Sequence, residues 1–171
     1  MKLHEITLLV NEILTLREAV ELHRNHWHQR TKPQLEETFH FLKKNLPPGF
    51  GLFYDVNIFA KNLEAVVYSL GSAYSGIVQE DDESDTAYLK HFGHLVFGQL
   101  HNGEISVIAS LPFVEELVIN TEPEIVLATL KPAELVQAKI LDLFRDFLAK
   151  IVEWEKNLTE KEIEFKHSVY A

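Results

Sequence analysis

The chain contains no cysteine. Disulfides, thiolate metal ligands and thiol nucleophiles are therefore excluded. It also lacks long apolar runs: none approaches the roughly 20 residues of a membrane-spanning helix. The opening MKLHEITLLVNEILTLREAVEL spaces its apolar residues with acids and carries no small-residue cleavage site, so no signal peptide is expected and the expected compartment is the cytoplasm. Basic residues are scarce. Lys and Arg number 16 against 26 Asp and Glu, a formal net charge of −10. The one basic cluster is short, from His23 to Lys32. A phosphate backbone or an anionic membrane demands more than that, so neither nucleic acid nor membrane is an expected partner.

What remains is an ordinary globular mixture, 46% hydrophobic and 25% charged over 171 residues. That length fits one domain, residues 1–171, with a core large enough to need no metal or disulfide for stability. No internal repeat or low-complexity stretch interrupts it.

Ile6, Leu9, Ile13, Leu16, Val20, His23 and Trp27 recur at alternating spacings of three and four, the stripe of an amphipathic helix. Pro33 interrupts, with Thr31 or Lys32 placed to cap a second helix whose stripe is Leu35, Phe39, Leu42 and Leu46. Pro47-Pro48-Gly49 ends it. The short connection makes residues 1–46 a helical hairpin or sharp bend. From 50 to 130 the pattern turns to strands. GLFYDVNIFA alternates, LEAVVYSL returns, GSAYSG reads as a bulge or hinge and EDDESD as an acidic loop. AYLKHFGHLVFGQL and EISVIASL flank Asn102-Gly103, a type I′ hairpin signal that pairs Leu100 with Ile105 and Val96 with Ala109. FVEELVI and EIVLATL complete about six strands. Pro132 and Glu134 open a C-terminal helix over 131–158, with Ile140, Phe144, Phe147, Ile151, Trp154 and Leu158 as its stripe, and 159–171 form a tail. The fold class is α+β: two N-terminal helices, an antiparallel sheet of about six strands, and a long C-terminal helix packed on the sheet.

HRNHWH, residues 23–28, holds three of the nine histidines. On an unbroken helix His26 and His28 point well apart, so one ion cannot take all three. His23 and His26 are neighbours at i and i+3. An antiparallel hairpin would bring Glu37 and His40 opposite them, a set suited to zinc, iron or manganese. Against this, Glu37 and His40 lie off their helix's apolar stripe. The plainer reading makes His23 a core-edge residue and His26 and His28 complements of a helix C-terminus, with no cofactor. His91-x-x-His94 on a strand points to opposite faces. EDDESD lacks the glycine and the final Glu of a calcium loop.

Asp55 and Asn57 alternate with Phe53 and Phe59, which suits either a solvated sheet face or a pocket wall, with Tyr68 and Tyr74 as further lining. Apolar residues on both faces of the second hairpin imply that the second face is covered by the C-terminal helix, closed into a cavity, or buried against another subunit. In element order alone the chain resembles two general types. One is the small acidic secretion-chaperone-like domain, dimeric and protein-binding; the other is the helix-grip type, with a helix across a curved sheet around an apolar cavity. The expectation that follows is a non-enzymatic binding or adaptor domain, homodimeric, whose partner is another protein or itself. The alternatives are a small apolar-ligand binder and a metal-dependent hydrolase using His23, His26, Glu37 and His40.

Overall fold

The computed structural model describes residues 2–59, 63–81, 84–114 and 124–169, and within these it leaves the side chains of 58–59, 77–81, 84–86 and 158–169 undescribed. The chain is α+β, as its patterning predicts. Helix α1 (Lys2–His26) runs through a π-helical turn (Trp27–Thr31) into α2 (Lys32–Asn45) as one joined helix. The strands are β1 (Phe53–Phe59), β2 (Leu63–Ser69), β3 (Ser72–Asp81), β4 (Ser84–His91), β5 (His94–Gln99), β6 (Ile105–Ser110), β7 (Phe113–Val114) and β8 (Glu124–Leu130). A 3₁₀ turn (Pro132–Glu134) leads into α3 (Gln137–Val169).

The N-terminal hairpin does not form. Thr31 and Lys32 have helical dihedrals, and Thr31 makes no side-chain cap. Proline inside a helix lacks an N–H and crowds the carbonyl four residues back. Here the preceding turn is widened, with Lys32 N–H donating to Trp27 O five residues back. This is the π-bulge by which a helix takes an insertion without breaking. The wide turn also turns Trp27 and Thr31 inward, where both are buried.

All strand pairs are antiparallel, in a five-stranded order β1-β2-β5-β6-β8 and a three-stranded order β3-β4-β7. The two are joined through one ladder. Leu70 N–H donates to Gly93 O at 3.1 Å and Phe92 N–H to Gly71 O at 3.0 Å. So β2–β3 and β4–β5 are two long strands bent at the same level, where Gly71 and Gly93 take φ of +81° and +103°. AYLKHFGHLVFGQL is thus two strands rather than one. The GSAYSG segment does carry a bulge, a register shift between Tyr74 and Val78. The acidic stretch is mostly strand: Glu80 pairs with Asp85 and Asp81 with Ser84. Of FVEELVI, Phe113 and Val114 lie within the described residues.

The Asn102-Gly103 hairpin forms one residue out of the expected register. Leu95 faces Ala109, Val96 faces Ile108 and Gln99 faces Ile105. Leu100 N–H donates to Glu104 O and Gly103 N–H to Leu100 O. The loop is therefore three residues, 101–103, with glycine in the left-handed position. A slip of one residue exchanges faces. Leu95, Phe97, Val107 and Ala109 share the core side, and Val96 and Ile108 the other.

Both α2 and α3 pack on that core side. Leu35, Phe39 and Leu42 of α2 meet Ile140, Leu143, Phe144 and Phe147 of α3 over Val66, Tyr68, Leu95, Phe97 and Val107. Tyr68 is the hub, with Phe39 at 5.6 Å, Phe97 at 5.3 Å and Phe144 at 6.3 Å between ring centroids. Its hydroxyl donates to Leu35 O. Beyond the bend, Lys90 holds α3 through Glu155 at 2.7 Å and lies 5.4 Å from the Trp154 ring centroid. Helix α3 continues to Val169, through most of the stretch expected as a tail.

Candidate functional site

The helical joint decides where the histidine set goes. With no hairpin, His26 and Glu37 are eleven positions apart on one rod, about 16 Å of helix rise. His23 and His40 are farther still. His23 Nδ1 lies 3.4 Å from Asn102 O, His26 Nδ1 lies 3.1 Å from the Thr31 hydroxyl, and His40 stands in solvent 4.0 Å from Glu36. The proposed set His23, His26, Glu37 and His40 is therefore not brought together. Among the described residues no three His, Asp or Glu side chains converge as a metal site would require. The joint instead gathers a structural knot. Trp27 Nε1–H donates to Glu64 Oε2 at 3.3 Å, Lys32 Nζ lies 3.1 Å from the same oxygen, and His28 Nδ1 lies 3.8 Å away. Burial works to raise the Glu64 carboxyl, but the Lys32 and Trp27 hydrogen bonds and the Lys32 and His28 charges outweigh it and hold it below the ordinary carboxylate value. Thr31 donates to Pro132 O at 3.2 Å, which ties the joint to the start of α3.

The six residues read as ligand lining separate across the sheet. Phe53, Asp55 and Asn57 share the outer face of β1 and are exposed. Tyr68 lies on the opposite, core face, fully buried. Tyr74 sits beyond the bend and is 78% exposed. Phe59 closes β1, and its side chain is among those left undescribed.

The outer face of the five strands mixes polar side chains with Val67, Val96, Ile108 and Val126. The ladders align Phe53, Ser69, His94, Ser110 and Glu124 as one row across it. His94 Nδ1 lies 3.3 Å from Ser69 Oγ, which also accepts Gly71 N–H at 3.0 Å. Burial, followed by the neighbouring His91, pushes the His94 imidazole below its ordinary value, while Glu124 works the other way. The ring is neutral at neutral pH, an acceptor beside a hydroxyl. His91 itself stacks on Phe113 at 4.6 Å. The pair His94–Ser69 escaped sequence reading because its partner is twenty-five positions away. Only the strand register brings them together.

The largest feature is apolar. No side chain described in α1 is buried. Leu3, Ile6, Leu9, Val10, Ile13, Leu14 and Leu16 are between 47% and 76% exposed. Among the described residues the helix meets the body near its C-terminal end, where His23 and Val20 approach the 101–103 loop: a Cβ on Gly103 would stand 2.6 Å from His23 Cβ and 3.2 Å from Val20 O. The sequence displayed this stripe plainly. What it could not display is that no described residue of the same chain covers it.

No protein-family profile, curated protein or solved structure matches the chain. No helix among the described residues is long and apolar enough to cross a membrane.

Proposed function

We propose that the chain is a non-catalytic protein-binding domain, an adaptor, that works as a homodimer in the cytoplasm. The observation that supports this reading is the uncovered apolar surface of α1. Monomeric domains rarely expose contiguous apolar patches beyond a few hundred Å², and larger ones mark contact sites. The eight exposed large apolar side chains from Leu3 to Leu16, Leu8 among them, exceed that. The outer sheet face, lined by Val96, Ile108 and Val126 and bounded by the edge strands β1 and β8, is the second surface this reading assigns, to an extended segment of another protein. The test is light scattering on the full chain across a range of concentrations. Twice the chain mass is expected, and a mass that stays monomeric throughout sinks the homodimer.

A further inference from the structure

We propose that α1 pairs with α1 of a second copy of this chain, antiparallel, centred at the level of Asn11. This deepens the homodimer reading above and rests on it.

The stripe Ile6, Leu9, Ile13, Leu16, Val20, His23, Trp27 repeats every seven residues in alternating steps of three and four, the pattern of a two-helix seam. It has two fates along one helix. At its C-terminal end it is used within the chain: Trp27 is buried and His23 sits against the 101–103 loop. At its N-terminal end the same face continues past the body with no described residue burying it. Most helical stability in proteins comes from packing of an apolar face, so the overhang calls for a partner.

Area and register say which partner. Taking roughly 150–180 Å² for a fully exposed Val, Ile or Leu residue, Leu3, Ile6, Leu9, Val10, Ile13, Leu14 and Leu16, without Leu8 on another side of the helix, present on the order of 700 Å² per chain. Two copies together fall within the roughly 1,200–2,000 Å² of a specific interface. An antiparallel pair centred at Asn11 layers Ile6 on the partner's Leu16 and Leu9 on the partner's Ile13, then the same two layers in reverse. Val10 meets its own copy on one flank. All four layers fall on apolar residues, and the free stripe ends where the pairing ends.

Direction follows from the body. From Val20 onward the stripe faces its own loop and sheet. A parallel partner would have to run into that space. An antiparallel partner ends there and carries its own body beyond the other end of the pair. The opposite flank sets Glu12 near the partner's Glu12, a like-charge contact, whereas a parallel pair would set Glu12 near the partner's Arg17.

The absence of cysteine gives a clean test. Ile6→Cys and Leu16→Cys chains are oxidised separately and after mixing, and Ile13→Asp is followed by light scattering with circular dichroism as a folding control. In the antiparallel pair the two cysteines of a mixed dimer adjoin, while like cysteines stand about ten helical residues apart, roughly 15 Å. The expected result is a disulfide-linked species from the mixture alone, at least a tenfold loss of self-association in folded Ile13→Asp, and tighter association in Glu12→Gln. Crosslinking of Leu16→Cys with itself, or weaker association of Glu12→Gln, overturns the antiparallel arrangement. A dimer that survives Ile13→Asp without crosslinks overturns the use of α1 while leaving the homodimer reading standing. A wild-type monomer overturns both.

Discussion

The indole N–H of Trp27 donates to Glu64 Oε2 at 3.3 Å, and with Lys32 on the same oxygen it fastens the joined N-terminal helix to β2. The bond depends on the wide turn that carries the helix through Pro33. In a regular α-helix the residues after Trp27 would be rotated differently, and Lys32 would not share its partner.

Glu64 gives the fold an acid-sensitive fastening. Its carboxyl titrates below the ordinary 4.5, so it binds a proton less readily folded than unfolded. The stability it contributes is fully present above 4.5 and is lost as pH falls from there through the lower folded value. The group is partly exposed and screened, so the contribution is about 1 kcal/mol or less. Glu64→Gln is expected to lower the urea midpoint slightly at neutral pH and to flatten the decline below pH 4.5. An unchanged acid slope would count against this account.

The bend depends on one glycine more than the others. Gly93 has φ of +103°, and a Cβ there would stand 2.6 Å from Ser110 O, a backbone atom in the neighbouring strand that cannot step aside. Gly76 has φ of +80° with open space around it. Gly76→Ala is expected to cost only the left-handed backbone, about 1–2 kcal/mol. Gly93→Ala adds the clash and should cost clearly more, read as the difference in urea midpoints. Equal costs would mean the bend tolerates a Cβ.

Much of the fold was legible, for reasons that sort by range. The β1–β2 hairpin follows from alternation in GLFYDVNIFA and the apolar return run LEAVVYSL, and α3 from Pro132 followed by Ile140, Phe144 and Phe147. These are local patterns. The misreadings each turned on one backbone choice. Pro33 signals a break, and only the i→i−5 bond from Lys32 to Trp27 avoids it. Asn102-Gly103 signals a two-residue turn, and placing one more residue in the loop moved Val96 and Ile108 to the outer face. That exchange reduced the second apolar face of the hairpin to Val96 and Ile108. The His94–Ser69 contact was not legible at all, because it depends on the register between β2 and β5, strands that are not consecutive in the chain.

His94 predicts a second pH window, separate from that of Glu64. Its imidazole titrates below the ordinary 6.5, so the unfolded chain takes the proton more readily. Stability is then complete above 6.5, falls as pH drops from 6.5 to the lower folded value, and is level below that. His94→Gln should abolish the loss in this window and leave the one below 4.5 intact. Chemical denaturation at closely spaced pH values separates the two. A slope near pH 6 that persists in His94→Gln would assign it to another histidine.

Two core tyrosines, paired ring to ring at 6.3 Å, should answer oppositely to the same substitution. The Tyr68 hydroxyl donates to Leu35 O, joining β2 to α2 in a fully buried setting. Tyr68→Phe removes that bond and should cost about 0.5–1.5 kcal/mol. The Tyr54 hydroxyl is buried with no hydrogen-bond partner among the described residues. A buried polar group without a partner is a standing cost, so Tyr54→Phe should be neutral or stabilising by up to about 1 kcal/mol. Burial of the phenol, and then the nearby Glu36 and Glu64, push its ionisation further up, so the group stays neutral through the stable pH range and the comparison is free of charge effects. Parallel urea titrations of the two variants read the difference directly. A clear loss of stability in Tyr54→Phe would mean that its hydroxyl is satisfied by an internal water joining β1 to the helical layer.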